Sequence, residues 1–339
     1  MARADPAAVR ALAADLGIDR VGFAAATPLV RASARIRRAR RILGKLADPP
    51  FGECDPGRVL PGARSVIVAA QGYLTDEPED LSRPGAPHGL VARYAWRDQY
   101  GDLRRRLKRL AAALPALAGG PVCTRVSANG GLAEKPLAVR AGVGGWGHHG
   151  IVIAGPLGSW VVLGEIVTDL EIPPDPPGRS RCGPCRLCMA ACPTGAIVAP
   201  RVVERSRCLQ HLSARAGPLP PGVREVWGTR LYGCSTCQDV CPHNRAARRT
   251  DRRPDRGAVG PSLPLVPLLA WSEAGYRART ARNQMAASWV DWAAIRRNAC
   301  LALGHVGDPA AVPALEAVLG GDPDTATRDA ARWALGRIR

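Results

Sequence analysis

Acidic residues are scarce in this chain: 29 Asp and Glu stand against 47 Lys and Arg, a formal net charge of +18 at pH 7. That imbalance argues against a cationic partner and favours polyanions, nucleic acid first, through phosphate contacts and counterion release. Aromatic residues are few as well, 2 Phe and 5 Tyr beside 8 Trp, so the core must be built mainly from aliphatic side chains. No apolar run approaches the roughly 18 residues of a spanning helix. The opening stretch, MARADPAAVRALAADLGIDRVGF, carries Arg and Asp through its apolar positions. It reads as an amphipathic helix and not as an export signal, which leads us to expect a soluble, cytoplasmic protein. In that setting the 11 cysteines are not expected to form disulfides.

What is present is ordinary for a folded protein: 339 residues, 46% hydrophobic and 22% charged, enough for about two domains. Apolar spacing predicts a helix over 6–17, and β-branched runs predict strands over 21–25, 65–70, 150–154 and 159–167. Residues 29–50 read as a basic helix, 74–90 as a loop and 100–117 as a further helix. EIPPDPPGRS (171–180) is a stiff linker, and NRAARRTDRRPDRGAVGPSLP (244–264) is a basic loop. Beyond it, a helix over 293–306 and two more joined by Gly-Asp-Pro and Asp-Pro turns read as HEAT-type repeats. One and a half repeats cannot bury a core alone, so they are expected to cap the rest. The class is α+β, with an N-terminal α/β domain (1–172), a bacterial ferredoxin-like module (173–248) and C-terminal HEAT-like helices (249–339).

The cysteines carry the most specific signal. Cys182, Cys185, Cys188 and Cys192 stand in C-G-P-C-R-L-C-M-A-A-C-P, the spacing of bacterial two-cluster ferredoxins. Cys234, Cys237 and Cys241 follow in C-S-T-C-Q-D-V-C-P, with Cys208 between the two runs. Closely spaced cysteines wrap the corners of one cubane, whereas the cysteine before Pro points to the other. One [4Fe–4S] cluster should therefore take Cys182, Cys185, Cys188 and Cys241, and the second Cys192, Cys208, Cys234 and Cys237. Zinc also binds paired C-x2-C, but this longer run is not a zinc pattern. Cys54, Cys123 and Cys300 lie outside the runs and read as small apolar residues.

The remaining segments widen the picture. DPGRVLPGARSVIVAA (55–70), ARYAW (92–96), EKPLAVRAGVG (134–144), GSWVVLGEIVTDLEIPPD (158–175), CPTGAI (192–197), RLYGCSTCQDVCP (230–242) and RRNACLALGHVGDPAAVPALEAVL (296–319) occur in one order. Together they resemble the epoxyqueuosine reductases, and the resemblance spans nearly the whole chain. It implies a cobalamin held between the N-terminal domain and the cluster module. It also implies tRNA as substrate at the anticodon stem–loop, a donor such as flavodoxin or ferredoxin, no membrane and a monomer. Electrons would pass through the clusters to the corrin, and the epoxide would be reduced to an alkene with help from a carboxylic acid. Carried over residue by residue, the cobalamin pocket falls on Glu53, Ala92, Ser127, Ala128, Asn129, Val152 and Leu163.

The family's acid is an Asp, and its position falls on Ala128. Glu134, His148 and His149 are the nearby residues able to take its place, and the glycine run GVGGWGHHG (142–150) departs from the family pattern too. Two other readings stay open on that ground. One is a paralogous corrinoid iron–sulfur reductase acting on a small molecule or on a protein-bound corrinoid. The other is a ferredoxin-like electron carrier. The Arg-rich stretches at 31–41 and 103–109 are either tRNA-facing or simply solvated.

Overall fold

The computed structural model describes residues 2–34 and 53–338; most of the basic helix expected over 29–50 lies outside them. Helix α1 (Pro6–Asp15) starts where Asp5 accepts the Ala7 N–H at 3.0 Å and Pro6 occupies the first turn. It leads into strand β1 (Arg20–Ala25). Strands β2 (Ser65–Gly72), β3 (Thr124–Ser127) and β4 (Val161–Thr168) complete an antiparallel sheet of order β1-β2-β4-β3. Every residue of β2 and β4 is buried, which is why both read as continuous apolar runs.

Each face of the sheet has its own cover. Helix α2 (Gln99–Ala118) lays Leu103, Leu107, Leu110 and Leu114 with α1 against Phe23, Ile67 and Ile166. On the other face, α3 (Glu134–Arg140) packs Leu137 and Ala138 on Val66, Val68 and Val167. Gly22 makes that approach possible, since a Cβ there would come within 2.0 Å of the Ala141 carbonyl. Strand β3 escapes the sequence reading because it is four residues long and only half-buried, yet it carries the Ser127 end of the site.

A second core joins distant parts of the chain. His88–Val91, at the end of the expected loop, pairs with both Arg230–Tyr232 and Ser262–Pro264. Around that sheet, Trp96, Trp227, Leu231 and Tyr276 pack with the apolar faces of α4 (Trp292–Val306), α5 (Val312–Gly321) and α6 (Thr325–Ile338). The three terminal helices match the expected repeat pattern and cap the remainder, as their number requires. No helix among the described residues is long and apolar enough to cross a membrane.

Candidate active site and cluster module

The motif cysteines lie near enough to influence one another in two overlapping sets, with Cys188 bordering both. Burial raises the Cys188 thiol, and Cys182, Cys241 and Cys185 add to the effect by proximity. In the other group, burial and then Cys234, Cys208, Cys188 and Cys192 push Cys237 up strongly. Cys208 is raised by burial, opposed by backbone N–H groups, and raised further by Cys234 and Cys192. Such crowding of thiols, all of them free, suits thiolates drawn onto iron, where the metal replaces the protons. Backbone amides are ready to receive the charge: the His148 N–H points at Cys182 Sγ (3.4 Å), and the Ala196 N–H points at Cys192 Sγ (3.2 Å). Burial opposes ionisation of Cys192, but the N–H groups of Ile197, Thr194 and Ala196 outweigh it and lower its pKa.

The second set borders a cleft against the N-terminal domain. Lys135 lies on α3 with Cys237 and Cys208 among its electrostatic neighbours, and burial is the main cause of its lowered pKa. Its side chain is nevertheless exposed, with Nζ donating to the Gly150 carbonyl at 3.2 Å. A side chain that is exposed yet partly desolvated by the residues around it marks a recess in this surface, which is the cleft.

Three more groups share that wall. Glu134 Oε1 accepts the Asn129 N–H and, at 3.2 Å, the Gly130 N–H. Desolvation outweighs those bonds and the nearby Lys135 and Arg104 charges, raising Glu134 to about 7. Glu165, fully buried on β4, is raised well above the usual carboxyl range by burial and then by Glu134, while the Ser127 hydroxyl donates to its Oε1. Tyr100 lies near Glu134 and is pushed far up by burial and then by that carboxylate. Sequence reasoning missed both Tyr100 and Glu165. The tyrosine's signal was its place in the Q-Y-G start of α2, and the glutamate was hidden inside an apolar run.

The other expected residues are distributed unevenly. Asn129 is exposed at the cleft loop and donates to Gln284 Oε1 at 2.9 Å. Glu53 fixes the same loop through its backbone, which bonds Gly131 and Ala133, while its carboxylate accepts the Cys54 and Asp55 N–H groups. Ala92 meets the cluster module, where a Cβ on Gly233 would lie 2.5 Å from its own. Val152 and Leu163 are buried in the core beneath α3. Ala128 faces the opposite side of the sheet: a Cβ on Gly164 would meet both its Cβ (3.1 Å) and Leu107 (2.8 Å).

The two histidines part company. His148 Nδ1 sits 2.8 Å from the Cys185 carbonyl, on the side of the first cysteine group. His149 is 4% exposed, and its Nδ1 accepts the Ile151 N–H at 3.1 Å. Burial, followed by Lys135, His148 and His243, lowers its pKa to about 4. It is therefore neutral, with the proton on Nε2, and that buried donor has no partner among the described residues. Glu165 Oε2 is likewise unpartnered. Orphaned polar atoms close to such a cleft fit a large cofactor bearing amide groups, as a corrin does.

Two thiolate sets beside a cleft with proton-holding carboxyls define an iron–sulfur oxidoreductase. Comparison with known proteins narrows the class. Residues 54–128 match the family described as Epoxyqueuosine reductase QueG, DUF1730; residues 181–244 match a 4Fe-4S double cluster binding domain; residues 289–339 match HEAT repeats. An epoxyqueuosine reductase of Bacillus cereus is 34% identical over 333 residues, covering 95% of this chain and 86% of its own. One from Staphylococcus aureus is 34% identical over 336 residues, with coverage of 95% and 86%. A crystal structure of epoxyqueuosine reductase with an epoxyqueuosine-modified stem loop of tyrosine tRNA superposes with a TM-score of 0.88 at 30% identity, covering 98% of this chain and 89% of that one. The Bacillus subtilis enzyme, solved with its catalytic loop swung out of the active site, gives 0.87 at 30% identity and coverage of 98% and 90%. The chain belongs to the epoxyqueuosine reductase family. Its cofactors are two [4Fe–4S] clusters and cobalamin.

Proposed function

We propose that this chain reduces epoxyqueuosine to queuosine in the anticodon stem–loop of tRNA, and that Glu134 is the acid that protonates the departing oxygen. The carrying observation is the place of that carboxyl: backbone N–H groups of Asn129 and Gly130 hold it in the loop that follows the family's acid position. Its raised pKa keeps a share of the carboxyl protonated near neutral pH, which is what a general acid requires. His149 cannot serve in its place, being neutral down to about pH 4. Ala128 thus ceases to argue for a changed substrate.

Cobalamin, when bound, supplies reduction at carbon, fed by single electrons from the clusters. The chain's own residues do the rest. Glu134 gives a proton to the oxygen as the carbon–oxygen bonds break; two electrons and two protons are consumed, and the oxygen leaves as water. Lys135, whose ammonium neighbours Cys208 and Cys237, favours the reduced state of the inner cluster. His149 Nε2, unpartnered among the described residues, would be available to donate to a polar group of the cofactor. The cluster ligands are Cys182, Cys185, Cys188 and Cys241 for one, and Cys192, Cys208, Cys234 and Cys237 for the other. The net charge of +18 supports stem–loop binding by phosphate contacts. Flavodoxin or ferredoxin is the donor, the protein acts as a monomer, and the cytoplasm, where tRNA is found, is its compartment.

The test is a single-turnover reaction of reconstituted holoenzyme with an epoxyqueuosine-containing stem–loop and dithionite, read by nucleoside mass spectrometry. Conversion to queuosine is expected. An unaltered nucleoside, with clusters and corrin both shown reduced, would overturn the assignment.

A further inference from the structure

Large apolar side chains are exposed at few places in this protein, and three of them share one face of the cluster module. In the hairpin of Ile197–Ala199 and Val202–Val203, Ile197 turns inward while Val198 and Val202 are each 49% exposed. The adjoining helix Leu187–Ala190 adds Leu187, which is 46% exposed. Only five other large apolar residues are exposed among the described residues, and they are scattered along the chain. Arg179, Arg181, Arg186 and Arg201 are all exposed in the same stretch of chain, and Arg186 and Arg201 both bond His148. Residues 176–203 contain no Asp or Glu. Arg186 bonds only to the Gly183 and Cys185 carbonyls and to His148, and none of the four makes an ion pair with a carboxylate among the described residues.

The patch borders the loop that carries Cys182 and Cys185, both of which His148 meets. The hairpin is tied to His148 by the Arg201 N–H bond to its carbonyl at 2.8 Å. Cys208 and Cys237 lie beside Lys135, at the cleft. Electrons delivered across this face would reach the cysteine group of Cys182 and Cys185 first.

We propose that Leu187, Val198 and Val202, together with Arg179, Arg181, Arg186 and Arg201, form the docking face for a small acidic one-electron carrier protein. The inference rests on the reductase reading above. An apolar centre with a charged rim is the make-up of a protein interface, and a small one suits a carrier that must leave after each transfer. The uncompensated Arg side chains match an acidic surface and accelerate encounter. RNA would engage the Arg side chains but leave the exposed aliphatic centre without a partner, whereas a protein surface would cover both. Each docking passes one electron from the reduced carrier to the outer cluster and leaves the carrier oxidised by one; two dockings supply the pair that one deoxygenation consumes.

The test follows bleaching of the cluster absorbance in reconstituted holoenzyme by stopped flow. Hydroquinone flavodoxin, an acidic carrier, serves as probe in one arm and dithionite in the other. Arg181→Glu/Arg201→Glu should slow flavodoxin reduction at least tenfold and flatten its dependence on ionic strength. Dithionite bleaching, iron content and stem–loop affinity should not change. Leu187→Ser/Val198→Ser should slow the flavodoxin arm at every ionic strength. An unchanged flavodoxin rate in both variants overturns the proposal. So does a loss of stem–loop affinity at unchanged flavodoxin rate, which would make this an RNA surface. Wild-type enzyme that bleaches with flavodoxin yet leaves epoxyqueuosine intact sinks the functional reading and leaves the docking face standing.

Discussion

Glu134 Oε1 accepts the Gly130 N–H at 3.2 Å, so one carboxyl both closes the cleft loop and carries a proton near neutral pH. Glu134→Gln keeps an oxygen for those bonds and loses the acid. We expect the deoxygenation rate to drop by about a hundredfold or more, the usual worth of a positioned general acid. Because the pKa is raised to about 7, the protonated donor is present below that pH and lost above it. Wild-type single-turnover rates should therefore fall as pH rises through about 7, whereas the variant's slow rate should show no such step. Linkage has the same sign: the carboxyl's contribution to folding is complete below its ordinary pKa of 4.5 and disappears as pH rises through about 7.

Position 128 invites the reverse experiment. Ala128 is buried, and its Cβ faces Gly164 and Leu107 beneath α2. Ala128→Asp should not raise the rate. It should lower stability by about 1–3 kcal/mol for a polar group buried without a good partner, measured by denaturant titration of the holoenzyme.

The crossed assignment of the clusters is open to substitution one cysteine at a time. Cys208→Ser and Cys192→Ser should perturb the same cluster, and Cys182→Ser and Cys241→Ser the other, although Cys192 follows Cys188 so closely in sequence. Iron analysis should find about half the metal lost in each, and electron paramagnetic resonance of the reduced proteins should sort them into two spectral pairs. Grouping by sequence run, with Cys192 alongside Cys182, would rule out the crossing.

Much of this architecture was legible because it is local. The cysteine spacing, the apolar runs of β2 and β4 and the Asp-Pro turns of the terminal helices each depend on residues near in sequence. Pairing of His88–Val91 with Arg230–Tyr232 and Ser262–Pro264 was not legible, since its determinants lie far apart and one strand looked like the end of a polar loop. Glu165 was hidden for a related reason: within GSWVVLGEIV a single carboxyl looks incidental until Ser127 and Glu134 arrive from elsewhere in the chain. Nor does any spacing rule give the direction of a Cβ at the end of a short strand, which is what separates Ala128 from the cleft.

Lys135 makes a prediction that does not involve turnover. Its ammonium neighbours Cys208 and Cys237 in the cleft wall, and a positive charge there stabilises the more negative, reduced state of the adjacent cluster. Lys135→Gln should shift one cluster's midpoint potential to more negative values and leave the other's in place, as read by potentiometric titration. Equal shifts of both would mean that Lys135 is not selective for the inner cluster.

Arg297 tests how the terminal helices hold the cluster module. It is 2% exposed on α4 and meets no carboxylate in hydrogen-bonding range among the described residues; its guanidinium donates to the carbonyls of Leu212, Arg215 and Gly217 and to Asn298 Oδ1. Burial lowers its pKa to about 10, so the group remains charged at neutral pH and the carbonyls serve as its counter-dipoles. These carbonyls belong to the segment just after Cys208; Asn298 donates to the Ser213 carbonyl of the same segment and to the Leu231 carbonyl in the strand Arg230–Tyr232. Arg297→Met fills the space but leaves three carbonyls without their donor. The expected cost is about 3 kcal/mol or more, at the upper end for bonds to a charged group. Because the loss falls beside Cys208, the inner cluster should become more labile to chelator while the outer one keeps its rate. Equal lability of the two clusters would show that the helices support the module as a whole and not this segment.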